Sequence, residues 1–188
     1  MREIIVGNAT LRLQRGDITR LGRRVGAIVN AANQSLVTGG GVCGVIHRVG
    51  GAAIGEECRR IGGAAEGSAV ATTAGMLDAD AVIHAVGPRW HGGQQQEDEL
   101  LTSAYTSSLQ VAEQRGLTSV AFPSISTGSF RFPIFRAAPI AIAAVAGALA
   151  ASSTLEEVIF VLYSDADLRV YEDALTAWAD AHPEGSRL

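Results

Sequence analysis

The 188-residue chain predicts an α/β fold. Short β-like stretches alternate with helical ones from end to end, which is the pattern of strands and helices sharing one sheet. Several β-like stretches are continuous apolar runs, Ala81 to Val86 and Val158 to Tyr163 among them, as expected of strands covered on both faces. The length, with no internal repeat or low-complexity linker, fits one domain over 1–188 that buries roughly 70% of its unfolded surface.

In chain order, apolar and β-branched stretches predict strands at Glu3 to Val6, Thr10 to Gln14, Ala27 to Asn30, Ala69 to Thr73, Ala81 to Val86, Ser119 to Pro123 and Val158 to Tyr163. Helices are predicted over Gly44 to Gly62, Gln96 to Gln114, Pro133 to Ala150 and Ala166 to Ala181. In the last, Leu168, Tyr171, Leu175 and Trp178 recur at three- and four-residue spacing, with Asp165 placed to cap the first turn. Gly87 to Gln96, polar and Gly-rich, reads as a surface loop.

Hydrophobic residues make up 47% and charged residues 18%, which describes a soluble globular protein and excludes disorder. The net charge of −4 argues against nucleic-acid binding. All 15 basic residues are Arg, which excludes Schiff-base chemistry, a Walker-type phosphate lysine and a lysyl general base. Cys43 and Cys58 are too few for a disulfide framework and suit a reducing cytosol. With no signal-peptide pattern in MREIIVG, a cytoplasmic location is expected. The longest apolar run, Ala137 to Ala151, carries Pro139 and Gly147 and falls short of the roughly 18 residues of a membrane span, so a buried helix and no membrane partner are expected.

Two Gly-rich stretches each join a predicted strand to a predicted helix: Asn30 to His47 (NAANQSLVTGGGVCGVIH) and Ser124 to Pro133 (SISTGSFRFP). Glycines at such junctions let backbone N–H groups point at an anion, and the next helix N-terminus adds a favourable dipole. Both read as phosphate cradles. A plain tight turn at Gly39 to Gly41 is the alternative, weakened by the second loop of the same character. Gly39, Gly41 and Gly44 also satisfy GxGxxG, but eight residues separate Asn30 from Gly39, whereas a dinucleotide turn follows its strand directly.

Six segments in order resemble the macrodomain family, and within it the MacroD-type ADP-ribose hydrolases: GDIT from Gly16, AIVNAAN from Ala27, GGGVCGVIHR from Gly39, VIHAVGP from Val82, SISTGSF from Ser124 and VIFVLYSD from Val158. The resemblance implies a three-layer α/β/α fold with a mixed, mostly parallel sheet and a cleft at the strand ends. ADP-ribose and mono-ADP-ribosylated proteins are the implied partners, with no cofactor and a monomeric chain. Carried over by position, Asp17 accepts the adenine amino group and the Ile18 backbone reads the same ring edge, although Asp17 capping the turn at Thr19 stays open. Tyr163 stacks on adenine unless it belongs to the core. Asn33 bonds the distal ribose while Asn30 braces the loop. Amides of Gly40, Gly41, Val42, Ser126, Thr127, Gly128 and Ser129 surround the diphosphate, and Phe130 lies against the distal ribose.

Two positions depart from the family pattern. MacroD-type enzymes usually read GGGVDG, the Asp activating water with a downstream His, and here that position is Cys43. Cys43 and His47 are four apart and share a face if helical. The thiol is then either a base or nucleophile, or a packing residue, since a bound diphosphate disfavours a thiolate. Asn33, Cys43 and His47 are thus the catalytic candidates. Arg131 stands where the family usually has Gly, and either clamps phosphate or the modified side chain or points to solvent. His84 reads as a core histidine and Cys58 as helix packing. His47, His84, His91 and the cysteines show no metal-ligand spacing, so no metal is expected. The expected activity is hydrolysis of mono-ADP-ribosyl esters on Asp and Glu, with O-acetyl-ADP-ribose a second substrate. A non-catalytic reader and an ADP-ribose 1″-phosphate phosphatase are the alternatives.

Overall fold

Every residue of the strand Val25–Ala32 except Ala31 is buried, which a strand achieves only between two covering layers. The computed structural model describes residues 2–183 and 186–187. In chain order the elements are β1 (Glu3–Val6), β2 (Ala9–Arg15), β3 (Val25–Ala32), α1 (Gly41–Gly50), α2 (Ala52–Ile61), β4 (Ala69–Thr73), β5 (Ala79–Val86), α3 (Glu97–Gln114), β6 (Ser119–Phe122), α4 (Ile134–Ala151), β7 (Glu157–Leu162), α5 (Asp165–Ala181) and β8 (Ser186–Arg187). Helices α1 and α2 cover one face of the sheet around Ile28, Ile46, Ile54, Val82 and Ile159. Helices α3, α4 and α5 cover the other around Leu101, Tyr105, Phe122, Phe160 and Leu175. The fold is the expected α/β/α sandwich.

The sheet order is β4-β5-β3-β6-β7-β2-β1-β8. From β5 to β2 all neighbours are parallel, and β4, β1 and β8 pair antiparallel toward the edges. Strands β3 and β6 lie side by side, yet the chain leaves β3 toward β5 and leaves β6 in the opposite direction, toward β7. The connections therefore diverge above their C-terminal ends, which opens a crevice where ligands bind in open α/β sheets. The two loops that begin there are the two Gly-rich stretches.

Three local expectations are corrected. The single helix over Gly44 to Gly62 is two helices, because Gly51 adopts φ +87° and closes α1 by donating to the His47 carbonyl at 3.0 Å. A Cβ on Gly50 would stand 2.2 Å from Ile54 Cδ1, so the helix pair is closed tightly by two glycines. The cap of α5 is Ser164, whose Oγ accepts from Asp167 N at 3.0 Å, and not Asp165. Finally, α4 has 18 residues and is by length and composition apolar enough to cross a bilayer. Its Ala137, Ala141, Ile142, Val145 and Leu149 are instead buried in the core against the sheet.

Candidate functional site

Loop 1, residues 33–40, leaves β3 and delivers the chain to α1. Asn33 spans it, donating from Nδ2 to the Val37 carbonyl at 2.8 Å and accepting from Val37 N at 3.2 Å. Its amide thus closes the loop, with one N–H and one lone pair left over for a ligand. Cys43, 5% exposed in the first turn of α1, turns inward. Its Sγ accepts from Gly39 N at 3.4 Å and from Asn30 Nδ2 at 3.6 Å. Asn30 therefore braces the loop as expected. No hydrogen bond joins Cys43 to His47, so the pair that their spacing allows does not form.

The glycines separate into two kinds. A Cβ on Gly44 would stand 2.7 Å from the Gly39 carbonyl, so that glycine serves the fold. Gly40 has an extended backbone open to any residue, and neither it nor Gly128 has a heavy atom within 4 Å of a built Cβ. Packing gives no reason for glycine at either position; what the missing side chains leave is open access to the backbone. Around them, the N–H groups of Gly40 to Cys43 and Ser126 to Phe130 donate to no acceptor among the described residues. Gly40 caps α1 without any side-chain bond, so the helix's first amides and dipole face the crevice bare. Two clusters of free N–H donors in the loops that leave these neighbouring strands are an arrangement able to receive an anion.

Loop 2, residues 123–133, rests on two buried tyrosines that sequence reasoning did not single out for the site. Tyr105 of α3 accepts from Ile125 N through its hydroxyl at 2.9 Å, and Tyr171 of α5 donates to Ser124 Oγ at 2.8 Å. Thr127 Oγ1 bonds the same Ser124 Oγ at 2.9 Å. Burial pushes the Tyr171 phenol up to about 12 and raises that of Tyr105 as well, so both stay neutral donors. Ser126 and Arg131 hold φ near +66° and +60°, left-handed conformations that cost a non-glycine residue of order 1 kcal/mol.

At the far side of the crevice, Gly16 N donates to the Leu162 carbonyl at 2.9 Å and brings the ends of β2 and β7 together. Tyr163, 84% exposed, stands free of the core at this junction. Asp17 Oδ1 accepts from Thr19 N at 2.9 Å and Thr19 Oγ1 at 2.7 Å, so the capping role is formed. Burial raises the Asp17 pKa, but the Thr19 bonds and the Arg20 and Arg48 charges outweigh it and the net shift is downward. The remaining oxygen lets one carboxylate both cap and receive a base amino group. Ile18 is buried beside it.

Beneath loop 1 the fold gathers His47, Cys58 and His84, whose ligand-type atoms lie within 4.8 Å of one another, a grouping that sequence spacing did not show. His84 is fully buried between Asn30 Nδ2, 3.0 Å from Nδ1, and Thr72 Oγ1, 2.9 Å from Nε2. Thr72 donates onward to the Thr73 carbonyl. Nδ1 must then accept and Nε2 donate, which fixes a neutral tautomer with both nitrogens engaged. Burial, with His47 nearby, lowers its pKa to about 4. His47 is likewise lowered by burial, and its Nε2 is buried without a partner among the described residues.

The rim nearest β5 is the 87–96 loop. Glu97, at the start of α3, accepts from His91 N and Gly93 N at 3.0 Å and from Gln95 N at 2.5 Å. Burial would raise this carboxyl, yet the three N–H donors hold it down to about 2. Trp90 N donates to the Phe130 carbonyl at 2.9 Å, which staples the rim to loop 2. A Cβ on Gly87 would stand 2.2 Å from Ser126 Oγ, so any side chain at this junction would crowd loop 2. The Arg89 guanidinium lies over the Phe130 ring, 4.9 Å from its centroid.

The family model described as Macro domain matches residues 29–141. A macro domain-containing protein of Cupriavidus necator is 54% identical over 170 residues, 88% of this chain and 97% of its own. An O-acetyl-ADP-ribose deacetylase of Escherichia coli is 45% identical over 174 residues, 90% of this chain and 97% of its own. The Oceanobacillus iheyensis macrodomain solved with ADP superposes with a TM-score of 0.89 at 32% identity, covering 95% of this chain and 96% of that one.

Proposed function

The chain belongs to the Macro domain family, and from that premise we propose that it binds ADP-ribose in the crevice between loops 1 and 2 and hydrolyses ADP-ribosyl esters. The observation that carries this is the pair of N–H clusters in the loops that follow the neighbouring strands β3 and β6, Gly40 to Cys43 and Ser126 to Phe130, with no acceptor among the described residues. Each charge-assisted bond from such a donor to a diphosphate oxygen contributes about 1.5–3 kcal/mol. A few of them support micromolar affinity, about −8 kcal/mol. In this reading Asp17 and Tyr163, which follow the joined ends of β2 and β7, take the adenine, and Asn33 of loop 1 and Phe130 of loop 2 take the distal ribose. Relatives named O-acetyl-ADP-ribose deacetylase and neighbours solved with ADP or ADP-ribose support the ligand class and a hydrolase.

The leaving group selects the substrate. In an Asp or Glu ester, water attacks the anomeric carbon, the carbon–oxygen bond breaks and a carboxylate departs that needs no proton at neutral pH. A serine or arginine linkage needs a general acid. His84 is buried and His47 half-buried, burial lowers both pKa values, and Cys43 faces inward, so none of them supplies one. Catalysis then rests on orientation of water by Asn33 and the ligand phosphate and on preset amide dipoles. Cys43 holds Gly39 in place. O-acetyl-ADP-ribose also carries an acyl–ribose ester, which water hydrolyses to ADP-ribose and acetate. Multiple-turnover release of ADP-ribose from Asp/Glu-linked, Ser-linked and Arg-linked substrates tests the proposal. Turnover of the ester alone, retained in Cys43→Ala, is expected; no product over many enzyme equivalents, with ADP-ribose still bound, makes the chain a reader instead.

A further inference from the structure

We propose that Arg89 and Arg131 form a second recognition site at the mouth of the crevice, for carboxylates of an acidic polypeptide segment that flanks the modified side chain. It rests on the ADP-ribosyl reading of the pocket and adds the substrate class that the pocket serves. Phe130 joins the two arginines: Arg131 follows it in loop 2, and the Arg89 guanidinium lies 4.9 Å over its ring. A guanidinium held over a ring by a cation–π contact makes no hydrogen bond there, and the Arg89 N–H groups remain available to a carboxylate, which an arginine can receive with two parallel bonds. The contact with the ring also pre-orders the Arg89 side chain, so less rotamer freedom is lost when a partner docks.

Neither arginine is neutralised by the protein. Among the described residues, Arg89 and Arg131 make no ion pair within 4.0 Å, whereas Arg136 beside them on Trp90 is bonded through two nitrogens to Asp98. Glu97, the other carboxylate of this rim, is buried under three backbone N–H groups and turned away from solvent. Arg131 is held at φ +60°, a conformation that favours glycine, so the arginine stands here at a cost to the local backbone. The rim is also fixed in place by Glu97 and by the Trp90–Phe130 bond. Both arginines are exposed and border Phe130, the residue that the proposed function sets against the distal ribose, which is the end of the ligand that carries the modified side chain.

The test is calorimetric binding of ADP-ribosyl peptides joined through a hydrolysis-resistant linkage, one flanked by Asp and Glu and one by Asn and Gln, beside free ADP-ribose. The wild type is expected to prefer the acidic peptide about fivefold at ~0.05 M salt and to lose that preference at ~0.5 M, where surface charges are screened. Arg89→Glu is expected to reverse the ratio and Arg89→Lys to keep part of it. Equal affinities in the wild type, or a preference that survives Arg89→Glu with Arg131→Glu, overturn the proposal. So does a loss in Arg89→Glu confined to ADP-ribose 1″-phosphate, which assigns the rim to a phosphate. A wild type that binds the peptides and free ADP-ribose not at all removes the pocket reading itself, and the rim with it.

Discussion

Gly128 and Gly87 illustrate how differently the same residue type is required. Gly128 has open space around a built Cβ, and Gly87 has Ser126 Oγ at 2.2 Å and Ile125 Cγ2 at 2.5 Å. Gly128→Glu is therefore expected to melt like the wild type while losing ADP-ribose affinity by more than about 100-fold, since a carboxylate then stands among the diphosphate donors. Gly87→Ala is expected to lose about 1–3 kcal/mol of stability by overpacking, read from denaturant midpoints. Tyr163, 84% exposed, contributes little to the core, so Tyr163→Ala should leave stability unchanged and cost about 1–3 kcal/mol of ADP-ribose binding by calorimetry. At this scale the motif residues were legible as a family pattern. Asp17 was legible only as two alternatives, of which the cap on Thr19 is formed, because sequence does not show that one carboxylate oxygen caps while the other makes no bond among the described residues. Arg89 was not legible, since its place over the Phe130 ring depends on a contact between distant loops.

The elements were readable where one periodicity dominates. Continuous apolar runs located β3, β5 and β7, and the spacing of Leu168, Tyr171 and Leu175 located α5. The boundary between α1 and α2 was not, because Gly50 and Gly51 sit inside an otherwise helical pattern, and only the close approach of Ile54 and the Ala74 carbonyl makes the break necessary. Spacing likewise marked Tyr171 as a core residue and was silent on its hydroxyl, which holds loop 2 from below through Ser124. Tyr171→Phe keeps the packing and removes that bond. About 1 kcal/mol of stability should be lost, together with a several-fold drop in ADP-ribose affinity as loop 2 loosens. A stability loss with unchanged affinity would separate α5 from the site.

At the scale of the whole molecule, the site exists because the parallel strands β3 and β6 are neighbours whose connections run in opposite directions. Alternating strands and helices announced a doubly covered sheet but not the strand order, which depends on pairings far apart in the chain. Folding also fixes a proton balance. His84 has a pKa of about 4 in the fold against an ordinary 6.5, so the unfolded chain binds more protons between those values. Stability is accordingly full above about pH 6.5 and falls as pH drops through that window, by roughly 2 kcal/mol between pH 7 and pH 5. Urea unfolding at the two pH values should show the loss, and His84→Gln should remove most of it.

The most direct test of the central claim is amide chemical-shift mapping with ADP-ribose on the uniformly labelled protein. The N–H signals of Gly40 to Cys43 and Ser126 to Phe130 should shift together with saturation in the micromolar range, while Ile125 N–H, already bonded to Tyr105, moves little. Saturating binding that leaves both clusters unmoved, or no binding at millimolar ADP-ribose, would contradict it.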